Sequence, residues 1–463
     1  MFKKQLTTNA VFGTIILAAL ASVIIVSQNI YMWVIFVGMV LSMLIFLNAD
    51  VAYWAIFINV YIIGSLTAVH FPVIGNKTLW ITDLILLVLA VKLFVDVMLK
   101  RIKFFKYNIN ILIFLFILLG VISAILNKTS MVVLVCGLRS HFKYIPIFLA
   151  SMFYFDSEKL IKKSFLFWVL VGLINVPVAV IQFLVYHDFD AVGGLFSLGS
   201  SGILTIYQLF IVGYLFIIAE NGILKRWKTI VLAMILLVPV FINQTKIVFF
   251  LLPLLFLYIY RNSIIKNSVK TICVLLLVLV LFCSLMAAYT RLVPGFYFSD
   301  MLSKDWLYKY LCTDSYYCNE GSLNRLSAIT FAIDNISKSP LHFLVGVGIG
   351  NASLSNIPGG MGEYYKKYFH LKIDLVYLSR ILWEYGIIGP LLYASVIFLL
   401  WKYAVEVKRA SKDVYVKSIS EAFRLLILFL SIGTMYDRTF LFDKFACIFW
   451  LLGGFFTKLR IRQ

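Results

Sequence analysis

The sequence predicts an all-α protein built from membrane-spanning helices, and three observations carry that expectation. Hydrophobic residues make up 62% of the 463-residue chain, charged residues only 13%, and mean hydropathy is +0.98, whereas soluble domains run near a quarter charged. The apolar residues come in continuous runs long enough to cross a hydrocarbon core of about 30 Å. Lys and Arg gather in the short gaps between runs, on alternate loops, which is how orientation is written into a polytopic chain.

In order, the runs fall near residues 10–27, 31–47, 51–69, 79–99, 108–126, 141–155, 164–184, 202–219, 228–242, 246–260, 271–289, 376–401, 417–433 and 439–457, an expectation of about 14 helices. The first follows Lys3 and Lys4. No small-residue cleavage site follows it, so it reads as a retained helix and not as a removed signal. Met131 to Leu138 is shorter and reads as a re-entrant or interfacial piece.

Placing the N-terminus in the cytoplasm puts six basic clusters there. They are Lys100–Lys106, Lys159–Lys163, Lys225–Lys228, Arg261–Lys270, Lys402–Lys417 and Lys458–Arg462. The opposite loops are poorer in base or carry acid, as in His187-Asp188-Phe189-Asp190. Both termini are then inside and the longest polar segment is outside. The net charge of +20 follows this alternation and forms no folded basic patch, which argues against a nucleic-acid partner.

That longest segment is the roughly 85 residues from Arg291 to Asp374, and it divides the chain into 1–290, 291–375 and 376–463. It concentrates the polar chemistry, so function is expected at its face of the bilayer. It also holds Cys312 and Cys318 with five residues between them. An oxidising exterior favours a disulfide between these two over a pair of free thiols. No His or second Cys pair stands at zinc-ligand spacing, no Asp-x-Asp in the loop suggests a divalent ion, and there is no P-loop or Gly-x-Gly-x-x-Gly. No metal or cofactor is expected.

Several short motifs occur in a fixed order. Leu138-Arg139-Ser-His-Phe-Lys-Tyr144 is followed by Gln182 and Asp190-Ala-Val-Gly-Gly-Leu-Phe196, then by Asn243-Gln-Thr-Lys246 at a helix start. Asn324-Arg325 comes next, then Gly346-Val-Gly-Ile-Gly350, and finally Glu384-Tyr-Gly386-Ile-Ile-Gly389. Over roughly residues 130 to 400 this set resembles the O-antigen polymerase and O-antigen ligase superfamily of bacterial envelope glycosyltransferases.

The resemblance implies a GT-C-like helix bundle in the bacterial cytoplasmic membrane, with its active site facing outward. It implies a substrate sugar carried on undecaprenyl diphosphate, membrane lipid as solvent, and a possible chain-length regulator as partner. Carried over by motif, Lys246 takes the place of an arginine in the helix-opening tripeptide. Arg325 matches the arginine early in the large loop, His370 the histidine late in it, and Arg139 a basic residue on the preceding external segment. Lys246 is a point charge where the family has arginine's bidentate fork. His370 lacks the usual following Asn, so Asp374 is the alternative acid or base.

The chemistry is coherent on its own terms. A departing diphosphate needs cations where charge develops, and Arg139, Lys246, Arg291, Arg325 and Arg438 suit that task, the arginines for paired phosphate oxygens. An acceptor hydroxyl needs a base, His370 or Asp374. Plainer readings stand beside these: Lys246 as a snorkelling helix end, Arg139 as a flanking anchor, His370 as a surface histidine, and Asp437-Arg438 as a surface ion pair. Glu384 is expected to pair with Arg380 at i,i+4.

The expected function is polymerisation of lipid-linked oligosaccharide repeat units, by metal-independent displacement with inversion. Two alternatives remain: the sister ligase, which passes finished glycan to a lipid core or protein, and a lipid-linked oligosaccharide flippase. A flippase does not need so long an external loop, and a paired inverted repeat is expected of one.

Overall fold

In a solvent without water, a chain must satisfy its backbone N–H and C=O groups within itself, and a helix does so locally. The computed structural model accordingly shows helices and short loops and no strand among the residues it describes. These are residues 30–266, except Phe71, Asp156, Asp190 and Gln244, then isolated positions from 269 to 284, and residues 323–462. The expected first helix near 10–27, Arg291, Cys312 and Cys318 lie outside them, as does most of the run 271–289.

The first half comprises α1 (Ile30–Leu47), α2 (Ala49–Ile58), which runs through a π turn into α3 (Gly64–His70), and α4 (Pro72–Met98). It continues with α5 (Asn108–Leu126), α6 (Met131–Phe142), α7 (Ile145–Phe153), α8 (Ser157–Tyr186), α9 (Ser201–Glu220), α10 (Arg226–Ile242) and α11 (Val248–Lys266). After the gap come α12 (Arg325–Ile336), the short α13 (Pro340–Val345) and α14 (Glu363–Lys367), and α15 (Tyr377–Tyr385). The last helices are α16 (Ile388–Ala410), α17 (Val414–Tyr436) and α18 (Asp443–Arg462).

Six of the described helices are long and apolar enough to cross a membrane, and α6 with α7, bent by 46°, makes a seventh if the pair is one span. The chain is a multi-pass membrane protein. Two expected runs are divided in space. The run 141–155 breaks after Phe142, so the piece from Met131 onward is the first limb of a bent helix pair. The run 376–401 breaks at Gly386, whose φ of +62° favours glycine, and a Cβ there would lie 2.5 Å from the Leu344 carbonyl carbon.

Contacts between helix ends fix which ends lie together. Asn221 donates to Ser418 (2.9 Å), Arg261 pairs with Glu421 (3.1 Å), and Lys408 reaches the same carboxylate. Arg460 pairs with Glu406 (2.7 Å), Lys458 donates to the Phe155 carbonyl (2.6 Å), and Lys162 lies 3.6 Å from Asp413. Tyr154 donates to Asp96 (2.5 Å), and Arg101 pairs with Asp96 (3.1 Å). Every basic cluster picked out by loop alternation therefore has members at one end of the bundle, the basic end. By the antiparallel run of α9, α11 and α17, Thr245–Lys246 and Tyr436 belong to the opposite end.

That opposite end carries the described part of the large loop, which has its own small core of Leu323, Phe331, Val347, Tyr365, Ile373 and Trp383. Trp383 projects from α15 into it, with Tyr364, Tyr368 and Phe331 ring centres 5.7 to 6.0 Å away. Ser379 of α15 donates to the carbonyls of Ala328 (2.9 Å) and Ile373 (2.8 Å), pinning α12 and the loop's return strand of chain to the same helix. Gly350 lies directly on α6: a Cβ on Gly137 would sit 2.6 Å from the Gly350 nitrogen.

Candidate functional site

The loop end gathers charged side chains in two tiers joined by one short segment, residues 437–444. The chain leaves α17 at Tyr436, makes one 3-10 turn over Thr439–Leu441, and enters α18 at Asp443. Phe440 in that turn stacks on Tyr377 of α15 (5.4 Å between centroids) and packs against Tyr393 and Phe449. The turn is thereby anchored on aromatic faces, and its polar residues are held at either end.

The outer tier contains Arg325, Asp374, Asp437 and Arg438. Asp374 is 2% exposed, and its Oδ2 accepts from Arg438 Nη1 (3.1 Å) and from the Leu354 backbone N–H (3.2 Å). Arg325, at the first position of α12, donates from Nε to the Tyr436 carbonyl (3.0 Å), with its guanidinium 4.2 Å from the Tyr436 ring centre. The Asp437 carboxylate accepts from its neighbour's backbone, Arg438 N–H to Oδ1 (2.6 Å). Burial pushes the Asp437 carboxyl above its ordinary range, against the fields of Arg438 and Arg325 and with that of Asp374.

The second tier lies beneath, around the bend between α6 and α7. Arg139 binds Asp83 of α4 through Nε (2.8 Å) and Nη2 (2.5 Å). Lys143 is 2.6 Å from Asp443 and 3.7 Å from Asp83. Lys444 places its ammonium 5.5 Å from the Phe196 ring centre, and its backbone carbonyl accepts from the Tyr61 hydroxyl (2.5 Å). Phe196 belongs to the Gly-Gly-Leu-Phe turn, which is tied down by Gln182: Oε1 accepts from the Gly193 and Gly194 N–H groups, and Nε2 donates to the Gly194 carbonyl.

A fully buried polar network separates the tiers. Oε1 of Glu384 accepts from Arg380 (3.2 Å), the expected i,i+4 pair, and its Oε2 faces His141 Nε2 (2.7 Å). His141 Nδ1 lies 3.1 Å from the Tyr377 hydroxyl. With Nε2 donating to the carboxylate and Nδ1 accepting from Tyr377, every ring atom is satisfied.

The structure thus brings Arg325, Asp374 and Arg438 into one tier and Arg139 into the tier below. The side-chain partner of Arg438 is Asp374, not its neighbour Asp437, which corrects the expected surface pair. Asp374 is committed to holding that arginine. His370 is an exposed residue of a 3-10 turn. Lys246 stands at the same end of the bundle, at the start of α11, beside an Asn243–Thr205–Ser201 network.

Asp83, His141, Lys143, Asp443 and Lys444 were not singled out from sequence. The signal for them was present: ionisable residues within or at the edge of apolar runs face interiors and pair with one another. Among the described residues, no group of three His, Cys, Asp or Glu side chains is placed to hold a metal. An apolar groove of about 420 Å³ lies between α16 and α17, lined by Tyr393, Ile397, Trp401, Ile427, Ser431 and Thr434. Thr434 is two residues from the tyrosine that Arg325 covers.

No protein-family model matches the chain, and no curated protein is detectably similar to it.

Proposed function

We propose that the chain is a bacterial glycosyltransferase that polymerises undecaprenyl-diphosphate-linked oligosaccharide repeat units at the outer face of the cytoplasmic membrane. The observation that carries this reading is the convergence of Arg325 and Arg438 with the carboxyl of Asp437 at the loop end of the bundle. Because basic residues favour the cytoplasmic side, the basic end faces inward and this tier faces outward.

Two guanidiniums suit the paired oxygens of a diphosphate and stabilise the charge that grows there as the sugar departs. The apolar groove below Tyr436 suits the isoprenoid tail of the same molecule. In the proposed step, the acceptor hydroxyl oxygen forms a bond to the anomeric carbon of the donor sugar. The bond from that carbon to the diphosphate oxygen breaks, with inversion, and its electron pair leaves on the lipid diphosphate. The hydroxyl proton passes to a carboxylate. Asp437 is the better base than Asp374, because its raised affinity for a proton matches a base's task, whereas Asp374 is held by Arg438 and a backbone N–H. His370, exposed on its 3-10 turn, is the other candidate base.

The test is reconstitution with a purified lipid-linked repeat unit, followed by gel analysis of product length. The wild type should make a ladder, and Arg438→Ala and Asp437→Asn should leave single repeats. A ladder from both variants, or none from the wild type, rejects the assignment.

A further inference from the structure

The short helix α13 is apolar and lies open. It reads Pro-Leu-His-Phe-Leu-Val, and none of its residues is buried. Leu341, Phe343 and Leu344 are 42%, 39% and 49% exposed. His342 turns toward the loop core, its ring 6.2 Å from that of Tyr364. An apolar cluster on the outside of a loop is unfavourable in water and marks a surface with another medium or partner against it.

The position of α13 identifies that medium. The Ile387 N–H, at the start of α16, donates to the Phe343 carbonyl (2.8 Å). The Asn127 side chain, just past the end of α5, donates to the Gly346 carbonyl (3.0 Å). Both α5 and α16 are long and apolar enough to cross a membrane, so α13 is wedged where two spans reach the edge of the hydrocarbon. The open apolar surface continues onto them: Ile125 and Leu126 close α5 and Leu391 lies in the first turn of α16, all three exposed. Lipid that covers those side chains reaches α13 as well. The backbone agrees. Polar groups at a helix end near lipid need partners from the protein itself. The Phe343 and Gly346 carbonyls have them from neighbouring segments, the Gly346 N–H donates to the His342 carbonyl (2.8 Å), and Pro340 at the first position removes one N–H.

We propose that α13 is a membrane-interface anchor, lying at the boundary of head groups and acyl chains at the loop end of the bundle. Leu341, Phe343 and Leu344 enter the lipid, and the partner is bilayer phospholipid, with the apolar face sunk about 5–10 Å as in other interfacial helices. The helix leads directly into the Gly346–Gly350 turn, and a Cβ on Gly346 would lie 2.4 Å from the Glu384 carbonyl carbon. The anchor therefore fixes the height of the loop core over the bilayer. That this height presents Arg325 and Arg438 to a lipid-borne diphosphate rests on the transferase reading above; the anchor itself does not.

Full-length protein, one molecule per phosphatidylcholine nanodisc, is irradiated with part of the lipid carrying a diazirine near the glycerol end of an acyl chain. Lipid should attach to Leu341, Phe343 and Leu344 as strongly as to Ile125 and Leu126, located by tandem mass spectrometry. Hydroxyl-radical footprinting of the same discs should find those three side chains protected, whereas Leu354, exposed to a similar degree (43%), is oxidised. The double variant Leu341→Asp, Leu344→Asp should lose the lipid label from residues 340–345 and keep it on Ile125, which reports an intact bundle. Oxidation of Leu341 and Leu344 as fast as Leu354, or no lipid on α13 while Ile125 is labelled, overturns the anchor. Protection that requires more than one protein per disc assigns the face to a second copy and overturns it too. A labelled α13 in a protein that transfers no glycan would remove the transferase reading and leave the anchor standing.

Discussion

Nε2 of His141 lies 2.7 Å from Oε2 of Glu384, between side chains with no solvent exposure that stand 243 positions apart. This contact joins the helix that carries Arg139 and Lys143 to the helix on which the large loop is folded. It therefore sets the distance between the two charged tiers, and it does so inside a network in which Arg380 and Tyr377 satisfy the remaining atoms. Removing one member of a buried pair leaves the other unpaired, which costs about 3–5 kcal/mol. Glu384→Ala and His141→Ala should each lower the thermal unfolding midpoint of the detergent-solubilised protein by several degrees. The double variant should lose less than the sum, because its partners share one network.

Asp437 gives a pH dependence with a definite sign. Its carboxyl titrates above the ordinary value of 3.8. A base must be unprotonated, so transfer should rise with pH through that elevated midpoint. Arg438→Gln removes a cation that opposes the elevation, and the rising limb should move further up. Stability runs the other way. A folded-state value above the unfolded one means that folding favours the protonated group, so this contribution is present below pH 3.8 and is lost as pH rises through the folded midpoint. Rates and unfolding midpoints recorded over one pH series test both limbs.

Asp374 is predicted to act through Arg438. Asp374→Asn keeps the shape but removes the charge that holds the guanidinium, so KM for the lipid-linked donor should rise with kcat little changed. Since Arg438 is partly exposed, with its side chain 37% accessible, the stability cost should stay near ~1 kcal/mol. A fall in kcat at constant KM would instead make Asp374 the proton acceptor.

The approach of Gly350 to Gly137 predicts a steric effect. A methyl group at either position meets backbone rather than a flexible side chain, and Gly350 also has a φ of +81°. Gly137→Ala and Gly350→Ala should each destabilise by about 1–3 kcal/mol. They should also loosen the loop from α6, read as faster amide exchange in residues 346–354.

Orientation is testable by labelling. Asn356→Cys, in the loop, should react with an impermeant maleimide on intact cells, and Lys412→Cys, at the basic end, only after lysis. Both positions are exposed. The reverse pattern would place the charged tiers in the cytoplasm and end the proposed function. The same reagent before and after reduction tests the expected bridge between Cys312 and Cys318.

The sequence alone determined the material of this protein. Runs of apolar residues long enough for a bilayer must be helical, because nothing else satisfies a backbone there, and alternation of basic loops marks which ends belong together. The end contacts at Asp96, Glu406, Asp413 and Glu421 bring those basic clusters together. The pairing of Arg380 with Glu384 was also legible, because an i,i+4 spacing on one helix is local geometry.

Only the tertiary structure decided what the charges do. Asp374 and Arg438, like His141 and Glu384, meet across long sequence separations, and no periodicity encodes a contact between different helices. The plainer sequence reading paired Arg438 with its neighbour at the surface; the turn over Phe440 sends its guanidinium to Asp374 and leaves Asp437 half-buried with its proton held more tightly.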